Sequence, residues 1–313
     1  MLLSSALRFF GGKGGVGKTT LAAAFGLLAA GEGTRTLVVS TDPAHSLGDA
    51  LATPLGERPR QVADRLWAAE VSGEAQAGKR LEEITRDAER TLPREVLPAV
   101  RTHLRRAVGS PGTVESALLD RLIELTESAE WELLVVDSAP TGHMLRLLTL
   151  PALLTPWIEG LAQQRRSARD VDRMATGALG SAAEADPLLD RLQERRARME
   201  RMAQRLRTDA LVHLVLVPER LPLAETLRTA GTLTESGVRL GPMIVNRVLP
   251  EGEAGLLARR RRQQEEVLGQ LEGYRQVRVP LLAGALTGQA ELAALAELLA
   301  AAGLPGTPGA DLR

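Results

Sequence analysis

The chain has 313 residues and no cysteine, and its 39 basic and 39 acidic side chains leave it formally neutral. Without thiols it has no disulfide, no cysteine-ligated zinc, no iron–sulfur cluster and no thiolate to hold a soft metalloid. Balanced charge and 2% aromatic residues argue against a nucleic-acid partner. The richest apolar run, Met144–Leu161, is broken by Pro151, Pro156 and Glu159, so no membrane span is expected. The opening MLLSSALRFFGGKGG has neither the basic start nor the cleavage site of a signal peptide, and a cytoplasmic protein is expected.

In chain order, short β-rich runs predict strands at Leu7–Phe10, Thr36–Ser40, Leu66–Val71, Leu133–Asp137, Val212–Val217, Pro242–Asn246 and Val277–Val279. Most feed a helical pattern. This alternation predicts an α/β fold with a mostly parallel, doubly wound sheet. Leu133–Val136 is apolar throughout, as a central strand covered on both faces would be. Residues 73–130 and 153–207 lack strand signals and read as helices that form a helical subdomain beside the sheet. Within the second stretch, Gln164–Pro187 is polar and rich in Ala, Gly and Ser and reads as a mobile loop. The tail Gly303–Arg313, with two prolines and three glycines, reads as disordered.

The sharpest motif follows the first strand. Gly12, Lys13, Gly14, Gly15, Val16, Gly17, Lys18 and Thr19 fit G-x-x-x-x-G-K-[ST] between a strand and a helical run beginning at Thr20. Glycines let the backbone curl so that successive N–H groups point at phosphate oxygens, and the following helix adds its positive end. Lys18 is expected to reach the β- and γ-phosphates, Thr19 to bind Mg²⁺ and Thr20 to lie near the α-phosphate. Only Lys13, Lys18 and Lys79 are lysine; every other basic residue is arginine. Two lysines in one glycine loop therefore point to work that a compact ammonium does and a guanidinium does not.

Two further segments follow strands: Ser40-Thr-Asp-Pro-Ala-His-Ser-Leu-Gly-Asp-Ala50 and Asp137-Ser-Ala-Pro-Thr-Gly-His-Met-Leu-Arg146. Asp137, ending a buried strand beside the phosphate loop, is placed to hold Mg²⁺ through a water. Asp42 can lie near the γ-phosphate, and as a turn former before Pro43 it would be ordinary. With the K-G-G-V-G-K-T-T loop, these segments resemble the ArsA family, which includes arsenical pump-driving ATPases and the ATPases that target tail-anchored proteins. The likeness continues through Pro111-Gly-Thr-Val-Glu115, Pro218–Thr226, Val245-Asn-Arg and Val279–Gly288. It implies a P-loop ATPase domain over residues 1–313 that works as a homodimer on ATP and Mg²⁺. It implies that Lys13 crosses to the partner's nucleotide and that Asp42 positions the attacking water. It also makes Asn246 the adenine reader, with Pro280 in the loop lining the base.

The chain departs from its relatives in its missing cysteines. The C-x-x-C through which some members share zinc is absent, so no zinc is expected, and thiolate capture of arsenite is impossible. Leu147, Leu150, Leu154, Trp157, Ile158 and Leu161 recur at helical spacing, as do Met199, Met202 and Leu206. Such stripes serve either as core or as a groove for an apolar client. The reading is an ATPase whose cycle captures or delivers a hydrophobic membrane-protein segment, with anion efflux or a regulatory switch as rivals.

Overall fold

The computed structural model describes residues 6–44, 46–91, 97–98, 101–102, 111–128, 130–175, 186–252, 254–284 and 286–306. Its strands are β1 (Ala6–Gly12), β2 (Thr36–Ser40), β3 (Arg60–Ala63), β4 (Leu66–Glu70), β5 (Leu133–Asp137), β6 (Ala210–Leu216), β7 (Met243–Val248) and β8 (Gln276–Pro280). They form one sheet in the order β3-β4-β2-β5-β1-β6-β7-β8. Every pairing is parallel except β3 with β4. The helices are α1 (Lys18–Gly31), α2 (Ser46–Ala50), α3 (Gly73–Thr91), α4 (Pro111–Glu127), α5 (Thr141–Ala175), α6 (Pro187–Thr208), α7 (Arg220–Glu235), α8 (Gly255–Gly269) and α9 (Gln289–Ala301).

Alternation along the strands divides the core in two. Leu7 and Phe9 of β1, with Leu134 and Val136 of β5, face helices α4 to α8. Phe10, Leu133 and Val135 point the other way, onto Leu21 and Phe25 of α1 and Leu292, Leu295 and Leu299 of α9. All five residues of β5 are buried, because the strand lies between β2 and β1 with helices over both faces. The sheet is thus doubly wound, and the C-terminal ends of β1, β2 and β5 come together at one edge of the covered layer.

Helices α3 to α6 are tied by ion pairs as well as by apolar contacts. Asp120 of α4 takes Arg80 of α3 and, at 3.2 Å, Arg195 of α6. Arg195 also donates to Ser116, and Arg201 reaches Glu127 at 2.7 Å. The inner faces of α4, α5 and α6 belong to the same apolar cluster as the sheet.

Several expectations need correction. Strand β3 was not expected; its sequence, Arg-Gln-Val-Ala, is half polar and sits at the exposed edge, where only one partner sets the pattern. Residues 164–175 are helix rather than loop, since Gln, Arg, Ala and Met prolong α5 across a run with no glycine. Residues 176–185, the rest of the expected mobile loop, lie outside the described residues. The start of the expected disordered tail is packed: Leu304 is buried among α1 and α9, and the Gly306 N–H faces Glu32. Residues 307–313 lie outside the description. Among the described residues, no helix is long and apolar enough to cross a membrane.

The two apolar stripes also resolve. Met199, Met202, Leu206, Leu147 and Ile158 are core, and Leu150 and Leu154 pack against it. Trp157, by contrast, is 62% exposed, and Leu153, one turn earlier, is 69% exposed. Met202→Ala is therefore expected to cost about 2–5 kcal/mol of folding stability. Trp157→Ala should stay within about 0.5 kcal/mol of the parent. Urea unfolding of both variants checks the assignment.

Candidate functional site

The phosphate loop runs from the end of β1 into α1. Two of its glycines are dictated by geometry. Gly12 has φ 152°, and a Cβ there would meet the Val215 carbonyl oxygen at 2.2 Å. Gly17, which caps α1, has φ 97°, and a Cβ there would lie 2.4 Å from Asn246 Nδ2. The curled loop is closed by its own lysine: the buried Lys18 donates from Nζ to the Lys13 carbonyl at 3.2 Å. Across the loop, Asn246 of β7 donates from Nδ2 to the Val16 carbonyl at 2.9 Å, and its Oδ1 accepts from the Arg247 N–H. Pro280 ends the neighbouring strand β8, opposite Val248.

Asp137 ends β5 in register with Phe10 of β1 and Ser40 of β2. Its backbone carbonyl accepts from the Thr41 N–H, and the Ser138 hydroxyl donates to the Phe10 carbonyl, so three strand ends are pinned together. The carboxylate is fully buried. Ser40 donates to its Oδ2 at 2.9 Å, while Oδ1 is buried without a hydrogen bond of ordinary geometry. Burial pushes the carboxyl from its ordinary 3.8 up to about 6; the hydroxyls of Thr19 and Ser40 and the charge of Lys18 oppose this, and the nearby charge of Asp42 adds to it.

Two hydroxyls from separate elements meet beside it. Thr19, in the first turn of α1, shares a 3.1 Å hydrogen bond with Ser46, the first residue of α2. Glu70, at the end of β4, accepts from the Gly48 N–H and holds α2 from the other side. Asp42 lies between β2 and α2. Its N–H donates to Ser40 Oγ at 3.4 Å, and its Oδ1 accepts from the Ala44 N–H, which forms the tight turn around Pro43. His45 lies outside the described residues. An orphaned carboxylate oxygen next to a threonine hydroxyl is a hard-oxygen donor set, which suits Mg²⁺ with its retained waters.

The structure thus brings Lys18, Thr19, Asp42, Asp137 and Asn246 around one loop. It places Lys13 apart: half of its side chain is exposed, and Nζ lies 4.0 Å from Glu225 Oε2. Several neighbours were not singled out from sequence. Ser40 and Ser46 flank Asp42 in the segment already noted, Thr141 follows Asp137, and Glu225 and Glu115 lie in the shorter shared runs. Glu115 is buried under His143 and Arg146, at 3.4 and 3.6 Å. The motifs held all of these residues, but only their three-dimensional pairing marks them.

The raised carboxyl has a measurable consequence. Because Asp137 is harder to ionise when folded, its effect is least harmful below about pH 4, and stability is lost as pH rises from there through about 6. The loss over that window is roughly 3 kcal/mol. Asp137→Asn is expected to stabilise the nucleotide-free protein at pH 8 and not at pH 4. Equal effects at both pH values, measured by chemical unfolding, would rule out ionisation of this group as the cause.

Comparison with known proteins agrees with this geometry. The family model for anion-transporting ATPases of the ArsA type matches residues 6–301. A protein of Aquifex aeolicus that carries the name of an arsenical pump-driving ATPase is 30% identical over 269 residues, covering 85% of this chain and 88% of that one. Protein Rv2184c of Mycobacterium tuberculosis is 38% identical over 263 residues, covering 79% of this chain and 60% of that longer protein. The ATPase get3 of Schizosaccharomyces pombe is 28% identical over 301 residues, covering 93% and 90%. The phosphate loop, the pinned strand ends and the match along almost the whole chain lead to one conclusion: this protein belongs to the ArsA family and is an ATP hydrolase.

Proposed function

We propose that the protein hydrolyses MgATP as a homodimer and uses the cycle to capture or deliver an apolar membrane-protein segment. In this reading the loop amides and Lys18 cradle the phosphates. The Thr19 hydroxyl, freed from Ser46, would hold Mg²⁺, with Asp137 Oδ1 assisting through a water, and the metal would supply charge neutralisation at the phosphates. Asp42 orients the attacking water. Asn246 reads the adenine edge, exchanging its contact with Val16 for the base, and Pro280 lines the base from the next strand. Lys13, with half of its side chain exposed, serves the nucleotide of the other subunit.

The observation that carries the client reading is the course of α5. This helix starts at Thr141, four residues after Asp137, and carries the exposed Leu153 and Trp157 along one side. Val171 and Met174, also exposed, lie further along the same helix. A change around Asp137 on nucleotide binding therefore has a direct covalent route to an uncovered apolar surface. Burying one face of a 20-residue apolar segment removes several hundred Å² from water at about 25 cal/mol per Å², enough for micromolar binding after ordering costs.

The rival reading, an energy-coupling ATPase for arsenical efflux, is favoured by the name of the Aquifex relative. The lack of thiolates weighs against it, since trivalent arsenic is held chiefly by soft sulfur ligands. The test is fluorescence binding of a labelled apolar helical peptide with and without a non-hydrolysable ATP analogue, alongside ATPase assays with arsenite. Peptide binding is expected in the ATP state, weakened at least tenfold by Leu153→Ser with Trp157→Ser, with ATP affinity unchanged. Arsenite should not stimulate turnover. Stimulation by arsenite with no peptide binding in any state would put efflux first.

A further inference from the structure

Glu225 lies on α7, outside the phosphate loop and outside the segments that follow β2 and β5. Its carboxylate nonetheless meets a residue of the loop and a residue of the segment after β5. Oε2 lies 4.0 Å from Lys13 Nζ, and Oε1 accepts a hydrogen bond from the Thr141 hydroxyl at 3.2 Å. Both ion-pair partners face solvent in part, Lys13 at 50% and Glu225 at 34% side-chain exposure. The ammonium is thus drawn toward α7 and away from the phosphate cradle, while the cradle is closed by Lys18.

We propose that Glu225 is a positioning residue that holds Lys13 in its own subunit until the partner's nucleotide takes it. The proposal rests on the reading that Lys13 acts across a dimer. One ammonium cannot serve the carboxylate and the partner's phosphates at once. The phosphates carry more charge and win when the dimer closes, and the carboxylate sets how much closure must overcome. Thr141 gives the exchange a second end. When Lys13 leaves, Glu225 keeps the Thr141 hydroxyl as its partner, and Thr141 is the first residue of the helix that carries Leu153 and Trp157.

This arrangement also explains a lysine at position 13 in a chain that otherwise uses arginine almost throughout. Arginine would grip a carboxylate with two parallel hydrogen bonds in a fixed plane. Lysine makes one loose contact that is easily exchanged. A partly exposed pair of this kind is weak, and a weak hold is what a reversible transfer requires.

Glu225→Gln removes the charge but keeps the size and an acceptor for Thr141. Its effect is read by sedimentation of the full chain with a non-hydrolysable ATP analogue and Mg²⁺. The dimer is expected at about two- to fivefold lower protein concentration than in the parent. In a Lys13→Ala background, Glu225→Gln should change nothing. An unchanged midpoint with Lys13 present overturns the proposal. An equal shift in both backgrounds also overturns it, because Glu225 would then act without Lys13.

A separate measurement guards the underlying reading. Lys13→Ala and Asp42→Asn subunits are mixed and mixed dimers are verified. A mixed dimer keeps one site with its own Asp42 and the partner's Lys13, and recovered activity supports action across the interface. Recovery together with an unaffected Glu225→Gln dimer would sink the Glu225 proposal alone. No recovery would sink both.

Discussion

The Asp137 carboxylate is buried where three parallel strands end, and burial alone drives it toward the neutral acid. Apart from the charge of Asp42, what surrounds it works in the opposite direction. Ser40 donates to one oxygen, and the Thr19 hydroxyl and the Lys18 charge favour the anion. Ser40 ends β2, while Thr19 and Lys18 open α1, so the carboxylate at the end of β5 constrains where α1 begins relative to the ends of β2 and β5. The hydrogen bonds from Thr41 and Ser138 that pin the strand ends serve the same constraint. One carboxylate oxygen stays without a hydrogen bond of ordinary geometry, and under the proposed function that oxygen would complete the donor set of a hydrated divalent cation.

From this point the structure extends in two directions. Through Thr19 and Ser46 the loop touches α2, which Glu70 braces from the end of β4. Through residues 138–141 the central strand passes into α5, whose inner side is core and whose outer side shows Leu153 and Trp157 to solvent. Glu225 lies between these routes, facing Lys13 on one and Thr141 on the other. Few contacts thus separate the phosphate loop from the long helix α5.

Most of the sheet was legible because its strands are covered on both faces. Uninterrupted apolar runs such as Leu133–Val136 have one plausible placement, and the glycine loop needs a strand before it and a helix after it. The edge strand β3 was not legible, because a half-polar tetrapeptide with one neighbour carries no pattern of its own. Helix α5 outran its expected end because a polar surface helix and a polar loop share a composition until a glycine run separates them. The methionines at 199 and 202 show a limit of periodicity: spacing reveals that a face is apolar, not what covers it. The site was legible as a set of motif positions. Its internal pairings, Thr19 with Ser46, Ser40 with Asp137 and Glu225 with Thr141, join residues 27, 97 and 84 positions apart, and such separations leave no local signal.

The central claim is that these strand ends form a site for phosphoryl transfer to water, with binding and chemistry assigned to different side chains. Asp42→Asn separates the two. Nucleotide affinity and single-turnover hydrolysis, measured on the same preparation with MgATP, give the test directly. Affinity is expected to stay within a few-fold of the parent, since the loop amides and Lys18 are untouched, while hydrolysis falls by orders of magnitude. Unimpaired hydrolysis in Asp42→Asn would contradict the assignment.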